Sequence, residues 1–171
     1  MRHPGPRFAG LLLSSLLLIA LALPALAQDP GPFAAGKKRV GIHGGAGRTL
    51  NQNYFLLGAS FGYYIADGLE VGAGVEGWIF NSPNLWKLTP QVRYVFYQTG
   101  AFKPYVGGFY RWVLVGSPYE DYESYGGRFG VAYQKGGSYV AVGGVYERYV
   151  DTDGVGDNDT IYPEVAFWIS F

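Results

Sequence analysis

The last twelve residues, 160–171, constrain the fold more than any other stretch of the sequence. Every second residue counted back from the terminus is apolar, namely Phe171, Ile169, Phe167, Val165, Pro163 and Ile161. The alternate positions include Ser170, Glu164 and Thr160. Alternation with a period of two over about ten residues is typical of a β-strand that crosses a bilayer, with one face toward lipid and one inside a barrel. A closing strand of a soluble sandwich has the same pattern, so this stretch alone does not distinguish a membrane barrel from a soluble sandwich.

The composition favours strands over helices. Aromatic residues make up 18% of the chain, glycine occurs 27 times, and charged residues reach only 15%. Tyrosine, tryptophan and phenylalanine suit twisted strands with bulky faces. No basic patch is large enough to indicate nucleic-acid binding, and the absence of cysteine excludes disulfide and thiolate chemistry.

The first 27 residues have the three parts of a secretory signal peptide. Arg2 and Arg7 precede an apolar run, residues 11–23, and Ala25 and Ala27 provide a small-x-small cleavage site. An uncleaved membrane anchor is disfavoured because the run is short for a crossing and Pro24 ends it. We therefore predict a signal peptide at 1–27, an N-terminal linker at 28–38 and a single folded domain at 39–171.

Residues 39–171 divide into eight segments separated by turn residues, and each segment is long enough to be a membrane-crossing strand. The predicted strands are 39–49, 53–65, 69–80, 87–97, 104–115, 124–134, 138–150 and 160–171. Short hairpin signals at Asp67-Gly68 and Gly136-Gly137 alternate with longer connections around Pro118 and Asp151. Short turns on one rim and longer loops on the other are typical of outer-membrane barrels. The sequence predicts an all-β fold, an eight-stranded antiparallel up-and-down transmembrane β-barrel.

The polar faces of the predicted strands carry four acids and four bases. They are Glu70, Glu76, Glu147 and Glu164 with Lys87, Arg93, Arg111 and Arg128. An eight-stranded barrel is narrow enough for side chains to fill, so these groups would be desolvated and must pair. We predict an interior charge network with a structural role. The alternative, charges on the wet side of an open sheet, would need a core on the other face that no helix supplies.

Two prolines and the aromatic residues lead to further expectations. Pro90 and Pro163 lie inside predicted strands and forfeit ladder hydrogen bonds, so we expect a bulge or an early strand end at each. Aromatic residues near strand ends predict two girdles at the membrane interfaces. The outer girdle is Tyr54, Trp78, Phe80 and Trp86, and the periplasmic girdle is Tyr63, Tyr97, Phe102, Tyr133 and Phe171.

Residues 58–75, GASFGYYIADGLEVGAGV, join two strands through an acidic-glycine turn and repeat small residues on one face. This stretch, and the mature chain as a whole, resembles the small outer-membrane β-barrel family that includes OmpA-type and OmpX-type domains. The resemblance implies an eight-stranded barrel with a filled polar interior in the bacterial outer membrane. Since the chain stops at Phe171, we expect no peptidoglycan-binding domain, and the short outer loops give no basis for carrying over adhesion or invasion roles.

The terminal residue Phe171 resembles the C-terminal aromatic assembly signal of these barrels. The resemblance implies the barrel-assembly machinery as a partner, with outer-membrane lipids and lipopolysaccharide as the surroundings. We expect a monomer that binds no nucleic acid and no cofactor.

Catalysis is a separate hypothesis, because some barrels of this size deacylate or palmitoylate lipid A. The deacylase type resembles a His-x-Ser pair with a glutamate, but His43 is followed by Gly44 and Gly45. No serine, histidine and acid constellation can be assembled around it. We expect His43 to be a half-buried residue of the first strand and the protein not to be an enzyme, with a lipid-modifying enzyme as the alternative.

The 151–159 connection is a candidate calcium loop. Its acidic residues are Asp151, Asp153, Asp157 and Asp159. Aspartate oxygens at alternating spacing with glycines between them resemble Ca²⁺ loops, although the distal glutamate of an EF-hand is missing. A solvated hairpin loop is the interpretation that we favour.

Taken together, these patterns predict an integral outer-membrane barrel with a structural or surface-interaction role and no large pore. A narrow ion channel past the charge network is the alternative. A soluble lipocalin-like carrier also has eight strands, but it needs an apolar cup and a polar exterior, the reverse of the polarity inferred above.

Overall fold

The computed structural model describes residues 29–49, 52–79, 84–116, 120–150 and 159–171. A single 3-10 turn, Gly31–Phe33, precedes the strands. The strands are β1 Lys38–Thr49, β2 Gln52–Ala66, β3 Leu69–Ile79, β4 Leu85–Val95, β5 Phe102–Val115, β6 Tyr122–Lys135, β7 Ser138–Val150 and β8 Asp159–Ser170. The predicted strand bounds agree with these to within two residues. In the described part of the chain, no helix has the length and apolar character needed to span a membrane.

Each strand pairs antiparallel with its neighbours in sequence, and β1 also pairs with β8, so the sheet closes into a barrel. The predicted fold class is confirmed. Gly68 and Gly136 lie in the turns after β2 and β6 with φ of 76° and 63°. Only glycine adopts such values without steric cost, which explains why tight turns occur at these two positions.

Side chains alternate between a polar, buried interior and an apolar, exposed exterior. In β8 the buried and exposed classes alternate along the whole strand from Ile161 onward. Large apolar side chains on the exterior are unusually exposed, for example Ile161 at 74% and Val142 at 62%. A soluble barrel would bury such residues, because a continuous exposed apolar surface is rare on monomers in water. The polarity is therefore inverted relative to a soluble barrel, as the sequence predicts.

The interior contains two apolar clusters near opposite ends of the barrel. The cluster at the end with the short turns contains Phe33, Tyr64, Val95, Tyr97, Tyr105, Ala132, Tyr139, Ala141, Ala166 and Trp168. The cluster toward the other end contains Tyr54, Leu56, Trp78, Leu85, Phe109, Val113, Val145 and Tyr162. Charged side chains lie alongside these two clusters inside the barrel.

The predicted girdles need correction at three positions. Tyr54, Trp78 and Tyr97 are 2%, 0% and 6% exposed, so they face the interior and contribute to its core. The reason is strand parity, since Trp78 lies two residues from the inward-facing Glu76. The remaining described members are exposed on the exterior, namely Trp86, Tyr63, Phe102, Tyr133 and Phe171. Phe80 lies outside the described residues.

The strands pass through both prolines without a bulge or an early end, so that expectation is wrong. Around Pro90, β4 keeps one register with β5, from Leu88 opposite Trp112 to Gln91 opposite Phe109, and only the two positions between them are unpaired. Pro163 pairs with Gly144 of β7, but on its other side the ladder with β1 ends at Glu164, the residue after Pro163, and does not include Pro163. A proline lacks one N–H, and here the loss interrupts the ladder on one side only.

The nine residues before β1, 29–37, fold against the end of the barrel that carries the short turns, although a linker was expected there. Phe33 is 1% exposed and stacks on Tyr139 with 5.1 Å between ring centroids. The segment is also hydrogen-bonded to the β2–β3 turn, where the Gly68 N–H donates to the Phe33 carbonyl at 2.8 Å. On the other side, the Ser170 hydroxyl donates to the carbonyl of Pro32 at 2.5 Å. This N-terminal segment therefore covers one mouth of the barrel.

Candidate functional site in the barrel interior

All eight charged residues predicted for the interior are buried. Their exposed fractions are 1% for Glu70, Glu76 and Lys87, 3% for Arg93, 0% for Arg111 and Glu147, 7% for Arg128 and 2% for Glu164. A buried charge is costly without a partner, so the contacts of each one matter. The structure brings the eight together in two carboxylate-centred clusters, one simple pair and a link through Glu76.

Glu70 forms the cluster nearer the N-terminal segment. Arg39 reaches it through Nε and Nη2, at 2.7 and 2.8 Å from the two carboxylate oxygens. Arg93 approaches from β4, directly opposite Glu70 in the register, with Nη2 2.6 Å from Oε2. The Arg93 guanidinium also lies 3.9 Å from the Trp168 ring centroid, and Arg39 donates to the Ser60 hydroxyl at 3.0 Å. This Glu70 cluster consists of two cations on one carboxylate.

Glu147 forms the second cluster from residues on five strands. Lys87 Nζ lies 2.9 Å from Oε1, and Arg111 Nη1 lies 2.6 Å from Oε2. The hydroxyls of Ser124 and Tyr162 also donate to this carboxylate, at 2.6 and 2.9 Å. The Glu147 cluster therefore has two cations and two neutral donors around a side chain with no solvent exposure.

Glu76 links the Glu147 cluster to β1. Its Oε2 lies 3.0 Å from His43 Nε2 and 3.7 Å from Arg111 Nη2, and its Oε1 accepts a bond from the Trp78 indole at 2.6 Å. His43 is 5% exposed, so it is buried and not half-buried as expected. Gly58 lies between the two on β2, and a Cβ there would come within 2.4 Å of the imidazole. The absence of a side chain at Gly58 allows the contact.

The remaining pair joins Arg128 on β6 to Glu164 on β8, with Nη1 2.9 Å from Oε2. The guanidinium centres of Arg111 and Arg128 lie 4.3 and 5.3 Å from the centroid of the Phe109 ring. One aromatic ring thus contacts both arginines, and cation–π attraction adds to the ion pairing.

One member of the network, Arg39, was not predicted from the sequence, and it has no solvent exposure. With it, the ion-pair network of the described residues holds five arginine or lysine side chains and four glutamates, where four of each were expected. Lys103 is buried as well, at 8% exposed, but it donates to the Tyr97 carbonyl and is not part of the network. The available signal was the two-residue spacing of Arg39, Gly41 and His43. Glycines on both faces of β1 hide the apolar alternation, so the inward face of this strand could not be identified from its pattern.

The candidate calcium loop lies mostly outside the described residues, which exclude Asp151, Asp153 and Asp157. Asp159 is exposed and accepts a hydrogen bond from the Tyr146 hydroxyl at 3.2 Å.

One group of described residues, His43, Glu76 and Glu164, has donor atoms within 4.8 Å of one another and could hold a metal ion. These groups already have partners in the protein, because Glu76 contacts His43 and Trp78 and Glu164 binds Arg128. A divalent ion would also add charge to an interior in which cations exceed carboxylates. The arrangement therefore fits an ion-pair network better than a metal centre.

Phe171 lies at the end of the strand that closes the barrel. Its side chain is 60% exposed on the exterior, and its backbone exchanges two hydrogen bonds of 2.9 Å with Lys38. The aromatic ring is thus accessible from outside, while the backbone takes part in the closure.

The comparisons with known proteins concern the fold. The sequence matches no family model, and no curated protein matches it. Among solved structures, the chain resembles the Neisserial surface protein A with a TM-score of 0.61 and 16% identity, over 79% of this chain and 96% of that one. It also resembles the N-terminal β-barrel domain of Pseudomonas aeruginosa OprF, with a TM-score of 0.55 and 14% identity, over 78% and 97% of the two chains. At such identities the likeness shows a shared fold, the closed eight-stranded barrel of small outer-membrane proteins.

Proposed function

We propose that the protein is an integral outer-membrane β-barrel with a structural or surface-interaction role, whose filled interior forms no large pore. The observation that carries this proposal is the interior network. Arg39, Lys87, Arg111 and Glu147 are at most 1% exposed. Side chains that pair across the lumen leave no wide aqueous path, as is typical of eight-stranded barrels.

The exterior supports the membrane location. Aliphatic side chains cover it, with Ile42, Leu57, Val92 and Val165 between 46% and 57% exposed. Such a surface is stable in hydrocarbon, and a closed sheet leaves few backbone groups unpaired there. The shared fold with barrels of bacterial outer membranes agrees with this location.

The route to the membrane and the partners follow from the sequence. We infer export after cleavage of the 1–27 signal peptide and assembly by the barrel-assembly machinery through Phe171. The folded protein is a monomer surrounded by outer-membrane lipids and lipopolysaccharide. Replacement of Phe171 by serine tests the assembly step. It should reduce the amount of folded barrel recovered from outer membranes while leaving refolding into pure lipid vesicles unchanged.

We also infer that the protein is not an enzyme. His43, the histidine of the described residues, contacts the Glu76 carboxylate at 3.0 Å, and no serine or threonine hydroxyl within the described ranges bonds to its ring. A buried histidine held in this way has no nucleophile to activate. Incubation with radiolabelled lipid A and phospholipids should release no acyl product. Release that depends on His43 would contradict the inference.

A narrow ion channel is the second candidate, and the excess of buried cations over carboxylates favours it. If ions pass, this excess should give anions the higher permeability. Two measurements decide between the candidates. Heat-modifiable migration on a gel tests whether a barrel forms in vesicles, and conductance in planar bilayers tests whether its interior is filled. Stable steps that grow when Arg111 is replaced by alanine would identify a channel, whereas no steps in the unmodified protein are expected from a filled barrel.

A further inference from the structure

The seam between β1 and β8 is paired along only part of its length. Seven residue pairs join the two strands, from Arg39 opposite Ser170 to Gly45 opposite Glu164. Both strands continue beyond this point, and in the same register residues 46–49 would oppose residues 160–163, but they are not paired. On its other side β1 pairs with β2 at all twelve of its residues. The break begins at Pro163, which lacks the N–H needed to continue a ladder.

A groove lies on the exterior beside the point where the pairing stops. It has a volume of about 510 Å³, within the range of small-molecule sites. Gly44 and Ala46, the outward residues of β1, form its floor because they have little or no side chain. Its walls are Phe55 and Leu57 on β2 with Val165 and Phe167 on β8, and Ile42 and Val140 also line it.

The dimensions and chemistry of the groove identify its occupant. β2 and β8 lie two strand spacings apart, about 10 Å. The apolar side chains of the two walls stand on either side of the small residues of β1, so the groove suits a narrow, elongated apolar group such as a hydrocarbon chain. The lining includes no arginine, lysine, aspartate or glutamate, and the ring of its one histidine, His43, is buried against Glu76 inside the barrel, so an ionic headgroup would find no partner in the groove. The groove is also continuous with the exposed apolar exterior, since Leu57 and Val165 are 54% and 52% exposed.

We propose that this groove, here called the β1 groove, is a binding site for one acyl chain of a membrane lipid. The chain lies over Gly44 and Ala46, and the glycerol-ester region of the same lipid lies at the unpaired part of the seam. Backbone groups that are not paired across the seam need polar partners where they face a membrane, and the ester oxygens and bound water of a lipid provide them. The inference rests on the proposed membrane location and adds a specific lipid site to it.

The test fills the floor of the β1 groove with a larger side chain. Ala46→Leu is the main variant, and Gly44→Leu is a second one, because an added Cβ at Gly44 meets only the Leu56 carbonyl, at 3.3 Å. The matched control is Ala73→Leu, which adds the same group at an exposed exterior position of β3 away from the groove. Each protein is refolded into vesicles of phosphatidylethanolamine and phosphatidylglycerol, extracted in a mild detergent and weighed by native mass spectrometry.

The expected result is one retained phospholipid per barrel in the parent protein and in Ala73→Leu. Both groove variants should show at least a fivefold smaller lipid-bound fraction. Equal retention in all four proteins, or a parent barrel that carries no lipid, would overturn the proposal. A dimer lost on filling the groove would also overturn it, because the occupant would then be a second copy of the chain. Heat-modifiable migration of the vesicle samples distinguishes failure of the lipid site from failure of the proposed function. A chain that never forms a barrel in vesicles contradicts the proposed function itself.

Discussion

The Glu70 and Glu147 clusters both stabilise a buried carboxylate, but they do so with different sets of donors. Each places two cationic side chains on one carboxylate in a closed interior. The cations of both clusters have further contacts. Arg93 and Arg39 contact the Trp168 ring and the Ser60 hydroxyl, and Lys87 and Arg111 contact the rings of Trp78 and Phe109. At Glu147, the additional donors from Ser124 and Tyr162 point at the carboxylate itself. Clusters with equal numbers of ions therefore need not depend equally on the central acid.

The largest effect is expected from Glu147→Gln. The amide keeps the shape of the side chain but leaves Lys87 and Arg111 without their shared charge partner. Removal of one partner from a buried ion pair costs about 3 to 5 kcal/mol, and we expect the upper end. Urea unfolding in lipid vesicles measures the free energy of unfolding. Glu123→Gln on the exterior is the matched control, and a cost no larger than the control's would contradict the cluster as described.

Glu70→Gln should cost less, about 3 kcal/mol, at the lower end of the same range. Glu70 accepts from two arginines and from no hydroxyl among the described residues, whereas Glu147 also accepts from Ser124 and Tyr162, so fewer donors lose an acceptor at Glu70. The same unfolding experiment gives the order of the two variants. If Glu70→Gln proves the more damaging one, the two hydroxyl donors do not increase the dependence on Glu147 and the expected order is wrong.

Phe33→Ala should affect only the Glu70 cluster, because that cluster is the one nearer the N-terminal segment. The variant should cost less than the about 3 to 5 kcal/mol of a fully enclosed phenylalanine, since the N-terminal segment can lift away from the barrel. Once this mouth is open, water reaches the Glu70 cluster and weakens its charge interactions. The cost of Glu70→Gln should therefore shrink in the Phe33→Ala background, while the cost of Glu147→Gln stays the same. A double-mutant cycle measures both couplings, and equal couplings would show that the segment does not shield the nearer cluster.

The smallest effect is expected outside the barrel. Tyr110 contacts Glu123 on the exterior through its hydroxyl, and exposed polar pairs contribute little to stability. Tyr110→Phe should leave the urea midpoint unchanged. A shift comparable to that of Glu70→Gln would mean that the exterior polar pairs matter as much as the interior ones.

The predictable part of this protein follows from a local pattern. Which of two faces a side chain occupies depends only on its parity along a strand, so Lys87, Arg111 and Glu147 could be placed inside from sequence alone. Residues were placed wrongly where the alternation of apolar and polar residues is weak, or where parity was given less weight than residue type. Glycines hid the parity of Arg39 in β1, and the aromatic character of Trp78 was given more weight than its position two residues from Glu76.

The sequence by itself determined the number of strands, their bounds to within two residues, the closed architecture and the inverted polarity, because each depends on the spacing of neighbouring residues. The tertiary structure alone decided which charges meet, that residues 29–37 cover one mouth and that the β1–β8 pairing stops at Pro163. Glu147 and Lys87 lie sixty residues apart, and their distance depends on barrel closure and strand tilt. No local spacing encodes those quantities, since they arise only when all eight strands have set their registers together.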